Sequence, residues 1–189
     1  GLKAQVAVPG KAEAVRMHQF FEEDGQVDTA VVISRPDHPE SDADLEDDDR
    51  KALVKSFWED TVTPAGGLDN YKRNVLSKFG DEGGIEILIV VRMLLTGFDE
   101  PRNTVLYVNR SLREHRLLQA IARVNRLHEE KDFGYILDYW GILGELDEAL
   151  TSYDALSGYD DTDLRNAIQS VREEVDRLPD YHTNVWELF

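Results

Sequence analysis

Cysteine is absent from the 189 residues, which excludes disulfides, thiolate nucleophiles and cysteine-ligated zinc. Long apolar runs are absent too: no stretch approaches the length of about 18 residues that a bilayer requires, and no signal-type run opens the chain. The first residue is Gly rather than Met, so the expectation is a soluble, cytoplasmic internal piece of something larger, with no membrane contact. Positive charge is scarce, with 21 Lys and Arg against 38 Asp and Glu and a net charge of −17. Wrapping nucleic acid over a whole surface needs a basic footprint; any such contact is expected to be local or shared with other parts. A phosphate-cradling G-x-x-x-x-G-K-[ST] loop is also missing, because around Gly10-Lys11 the first Gly is replaced by Gln5 and the hydroxyl by Ala12. The five His residues, His18, His38, His115, His128 and His182, lack metal-ligand spacing. Pro36-Asp37 with Glu129-Glu130-Lys131 resembles pieces of a metal-dependent nuclease only loosely, since Glu129 follows a helical pattern instead of lying in a strand.

What is present is an alternation of short apolar runs and helical patterns. The runs Ala4 to Val8, Thr29 to Ser34, Ile85 to Val91, Thr104 to Val108 and Gly134 to Asp138 read as strands. Ile85 to Val91 is almost continuously apolar, as expected of a strand covered on both faces. Helical spacing occupies Lys11 to Glu23, Asp49 to Trp58 and Asp69 to Phe79. These features predict an α/β fold with a doubly wound, mostly parallel sheet flanked by helices. An acidic loop holding Asp37, Glu40, Asp42, Asp44, Glu46 and Asp47 to Asp49 interrupts it and is expected to be a solvated insertion. From about Trp140 the pattern turns helical through Leu143, Leu146, Leu150, Leu164, Ile168 and Val175, which predicts a domain over residues 1–145 and a helical extension over 146–189. Trp58, Trp140 and Trp186 sit among apolar neighbours and are expected in the core or an interface.

Ligands of doubly wound sheets bind outside the carboxyl ends of the strands, so the segment after Ile85 to Val91 is the expected site. That segment, RMLLTGFDEP at 92 to 101, offers the Thr96 hydroxyl, the approachable backbone of Gly97 and the Asp99 carboxylate, which could accept from a ribose or orient an Arg. Downstream, Ser111 and Glu114 form an S-x-x-E capping box. The helix it would start gathers Arg116, Gln119, Arg123 and Arg126 on one side, with Leu117, Leu118, Ile121 and Val124 opposite. Guanidinium forks match phosphate oxygens and stay charged at any working pH, so this row asks for an anion.

The chain resembles the second RecA-like domain of superfamily 2 helicases, most closely that of the motor (R) subunit of type I restriction enzymes. VRMLLTGFDEP (91 to 101) looks like helicase motif V, LLQAIARVNR (117 to 126) like motif VI, and VAVPGKAEAVRMHQFF (6 to 21) like the motif IV region. The resemblance covers about residues 1 to 145. It implies that Arg123 and Arg126 face ATP bound on a first motor domain, with Gln119, Gly97 and Asp99 in the same cleft and Thr96 on the DNA backbone. It further implies Mg²⁺ held mainly by the first motor domain, movement on double-stranded DNA that leads to cleavage, and a bacterial or archaeal cytoplasm. The implied partners are the nuclease domain of the same subunit and separate methylation and specificity subunits. Arg92 stands where this family commonly has an acidic residue. Another superfamily 2 helicase is the alternative motor, though its motif VI more often reads QxxGRxxR; a non-enzymatic acidic protein-binding module is the alternative of another class.

Overall fold

The computed structural model describes residues 2–41, 44, 47–95, 98–112, 114–126, 131, 133–141 and 168–170. Strand β1 (Lys3–Ala7) leads into α1 (Lys11–Asp24), then β2 (Thr29–Val32), α2 (Asp48–Phe57), α3 (Leu68–Gly80) and β3 (Ile87–Val90). β4 (Asn103–Val108), α4 (Glu114–Val124), β5 (Tyr135–Asp138) and β6 (Ile168–Ser170) complete the described elements. The strands form one sheet in the order β2-β3-β1-β4-β5-β6, every neighbouring pair parallel. Successive strand residues point to opposite faces, and Leu88, Ile89 and Val90 are all fully buried. The sheet is therefore covered on both faces at β3, as parallel sheets require.

The five expected strands are found within a few residues of their predicted bounds. The tail differs: Ile168–Ser170 pairs in parallel with Ile136, Leu137 and Asp138, where a helical extension was expected. Apolar residues four apart do not by themselves distinguish a helix from a short buried strand, and the open edge of β5 offers backbone partners that a helix cannot use. The rest of the expected extension lies outside the described residues. α2 also departs from expectation, continuing into a π-helical turn over Trp58–Val62 in which the Thr63 N–H reaches the Trp58 carbonyl at 2.9 Å. Trp58 packs partly buried against the core, but Trp140 is exposed.

The acidic loop is not merely a solvated insertion. Glu40 is buried, and its carboxylate accepts N–H groups from Ser34, just past β2, and from Arg92 and Met93, just past β3. Asp44 reinforces it: one carboxylate oxygen accepts the Lys11 N–H at 2.7 Å and the other those of Glu40 and Ser41. An orphan donor of the first turn of α1 is thereby satisfied by a side chain from a distant loop. Asp47 caps α2 by accepting from Asp49 N. Lys11, 1 % exposed, directs its ammonium to the carbonyls of Arg35 and His38 at 2.7 and 2.9 Å. Burial pulls the Lys11 pKa below the ordinary lysine value, against the opposing pull of Asp44, Glu40 and Asp37. Arg110 joins this edge by donating to the carbonyl of Val91 at 2.7 Å.

Glu40→Ala strips the acceptor from three backbone N–H groups at once. The expected outcome is a loss of about 2–4 kcal/mol in unfolding free energy, read from urea denaturation; an unshifted midpoint would contradict this role.

Candidate functional site

Helix α4 buries Leu117, Ala120, Ile121 and Val124 and exposes Arg116 and Gln119, with Arg123 half-buried. This matches the amphipathic pattern in the sequence. The helix begins at Glu114; Arg113, inside the expected Ser111–Glu114 capping box, lies outside the described residues. The helix also ends before Arg126. Asn125 keeps an i→i−4 bond to Ile121, whereas the Arg126 N–H turns to the Arg123 carbonyl at 3.4 Å. Arg126 thus sits on a tightened last turn instead of continuing the helical row.

Leaving β4 at the carboxyl edge, α4 runs back along the sheet and delivers its last turn to the opposite edge. The Lys131 ammonium marks that position, donating to the carbonyl of Val124 at the end of α4 and to that of Asn103 at the start of β4, both at 2.8 Å. The segment after β3 makes the same return journey to reach β4. The two segments meet there: the Arg123 guanidinium donates to the Phe98 carbonyl, and Arg126 pairs with the Asp99 carboxylate. Phe98 is anchored by its ring, 5.8 Å from that of Phe79 at the end of α3. The carboxyl ends of the strands carry Glu40, Asp44, Lys11 and Arg110, whereas Arg123, Arg126 and Asp99 meet toward the amino ends.

Of the expected site residues, Asp99, Arg123 and Arg126 converge, and Gln119 lies exposed on α4 one turn before Arg123. Thr96 and Gly97 lie outside the described residues. Asp99 and Arg126 are 59 % and 44 % exposed at their side chains, so the pair orients the guanidinium and adds little to stability. The Nε of Arg123 is buried and has no acceptor among the described residues. Arg92 contributes its backbone N–H to Glu40 and leaves its side chain exposed.

The residues missed in the sequence are those that hold the end of α4. Lys131 is buried, and burial pushes its pKa down to about 8, partly opposed by Glu100. Asn125 accepts the Gly134 N–H on its Oδ1 at 2.8 Å. Gly134 is needed because a Cβ there would stand 2.3 Å from the Val124 carbonyl oxygen. A lysine followed within a few residues by glycine and a strand was the available signal, but nothing in it distinguishes a surface cation from a helix clamp.

Residues 3–141 match the family described as type I restriction enzyme subunit R domain 3. The chain is 35 % identical over 130 residues to the type I restriction enzyme SauMRSORF196P endonuclease subunit of Staphylococcus aureus strain MRSA252, covering 68 % of this chain and 14 % of that protein. It is 39 % identical over 95 residues to the SsaAORF53P endonuclease subunit of Staphylococcus saprophyticus, covering 50 % and 10 %. The chain spans about a seventh or less of the length of these relatives. Among solved structures, the ATP-dependent Type ISP restriction-modification enzyme LlaBIII bound to DNA is similar over 71 % of this chain and 8 % of that one, at 17 % identity and a TM-score of 0.40.

The Lys131 cation gives stability a readable pH signature. Its folded-state pKa, about 8, lies below the ordinary value of 10.5, so between these values the unfolded chain holds a proton that the folded chain has released. Stability from this group rises with pH across that window. Wild-type melting temperature is expected to gain on that of Lys131→Met from pH 8 to 10.5; a constant difference would refute the assignment.

Proposed function

The chain belongs to the type I restriction enzyme subunit R domain 3 family, and on that footing we propose that it is the second RecA-like motor domain of an R subunit, completing an ATP site and gripping double-stranded DNA during translocation that leads to cleavage. The observation that carries this reading is the meeting of Arg123, Arg126 and Asp99 at one sheet edge, from two segments joined only through β4 and α4. A polyphosphate fits these residues. Two planar, permanently charged forks stand within one turn, one with a buried Nε that has no acceptor among the described residues and the other still partly exposed.

The corner between β1 and α1 supports assigning the phosphate-holding wall to the first motor domain. There the Asp44 carboxylate takes the first N–H of α1, and the Lys11 ammonium is committed to backbone carbonyls. In this reading ATP and Mg²⁺ are held across the cleft, ATP supplying the transferable phosphoryl group. Arg123 and Arg126 approach it, and Asp99 keeps the Arg126 fork aimed until that approach. Charge spreading over a phosphoryl group in flight is what an arginine finger stabilises, an effect of about 10³–10⁵ in rate. In the same reading Gln119 would line the cleft, while Gly97 and Thr96, outside the described residues, keep the nucleotide and DNA-backbone roles that the resemblance implies. The nuclease domain of the same subunit and the methylation and specificity subunits complete the working assembly.

Arg123→Ala and Arg126→Ala are each expected to lower DNA-dependent ATP turnover of the full subunit by about 10³-fold or more. Undiminished turnover in both would sink the reading. The 189-residue chain by itself is expected to hydrolyse no ATP with or without DNA; DNA-stimulated turnover in the purified chain would contradict the division of labour.

A further inference from the structure

We propose that Lys131 and Asn125 are positioning residues that clamp the last turn of α4 and so fix where Arg123 and Arg126 point. The proposal rests on the arginine reading above and adds how their aim is held. The last carbonyls of a helix have no partner within it. At the end of α4 one of them, that of Val124, receives the Lys131 ammonium at 2.8 Å, and the same ammonium reaches the carbonyl of Asn103 at the start of β4, also at 2.8 Å. One residue on, the Asn125 side chain accepts the backbone N–H of Gly134, immediately before β5. The absent Cβ of Gly134 lets the two backbones touch at Val124. A helix end is thereby tied to the starts of two neighbouring strands.

Arg123 precedes this clamp and Arg126 follows it. Arg126 has left the helix, so its direction is set by the turn that Asn125 occupies. A simpler cap would have closed the helix without burying an ammonium, and burying one is costly unless it is well bonded. Among the described residues, Glu100, on the turn before β4, is the acidic group that acts on this ammonium. Two donor contacts from one buried ammonium hold the end of α4 and the start of β4 against sliding past each other. Placement errors of about 1 Å at catalytic groups cost about 10²-fold in rate.

The test uses the full R subunit in its assembled complex, with DNA-stimulated ATP turnover as readout. Lys131→Met and Asn125→Ala are each expected to lower kcat by about 10- to 100-fold while KM for ATP moves less than about threefold. Combined with the double replacement Arg123→Ala and Arg126→Ala, neither should lose more than that double variant alone, because groups that act as a unit are not additive. Asn125→Asp, which keeps the Oδ acceptor, is expected to recover most of the turnover that Asn125→Ala loses; this guards against reading a folding defect as a loss of aim. Losses that multiply with that of the Arg123→Ala and Arg126→Ala double variant, or wild-type kcat in both clamp variants, would overturn the clamp and leave the arginine reading standing. Wild-type turnover in both Arg123→Ala and Arg126→Ala would overturn both.

Discussion

The buried carboxylate of Glu40 holds together chain segments that no strand pairing could join at that level of the sheet. It gathers N–H groups from the ends of β2 and β3, while Asp44, four residues on, ties the same loop to the first turn of α1. A carboxylate in such a place is stable because several fixed donors replace its water, each charge-assisted bond being stronger than a neutral one. The consequence reaches beyond stability. In a doubly wound sheet the crevice outside the carboxyl ends is where a ligand would sit, and here Glu40, Asp44, Lys11 and Arg110 line that edge.

The opposite edge is built on a different balance. Among the described residues, its cations are partly exposed and lightly paired, Arg123 with a backbone oxygen and Arg126 with Asp99. Such contacts contribute little to folding, yet they restrict where a long flexible side chain can be. The rigidity comes from behind: Phe98 is wedged by Phe79, and the end of α4 is bonded to β4 and β5. One edge is locked and self-satisfied, and the other presents exchangeable charge on a stiff support.

Much of this was legible in the sequence because the signals were local. Continuous apolar runs such as Ile87–Val90 and the amphipathic period of α4 announce themselves within a few residues, and the pairing of Asp99 with an arginine was one of two roles open to it. What was not legible depends on distance. Glu40 and Asp44 look like any solvated acids until the fold brings Arg92 and Lys11 to them, and Lys131 looks like a surface lysine until two carbonyls close on it. Where along the sheet the arginines would meet the segment after β3 was not legible either, because that segment crosses back before β4. Ile168–Ser170 was read as helix because the partner that makes it a strand, β5, lies about thirty residues earlier.

The central position of β1 has a consequence for how the molecule is made. Ala4 has Ile87 on one side and Val105 on the other, partners that lie about eighty and a hundred residues further along the chain. β1 leaves the ribosome before either of its sheet neighbours and must therefore wait, with both edges open, until β3 and β4 have been synthesised. Long-range parallel pairing of this kind is slow to form, and open strand edges invite pairing with other chains. The net charge of −17 on these 189 residues favours repulsion between nascent copies of this segment during that interval, which protects the centre of the sheet before its neighbours arrive.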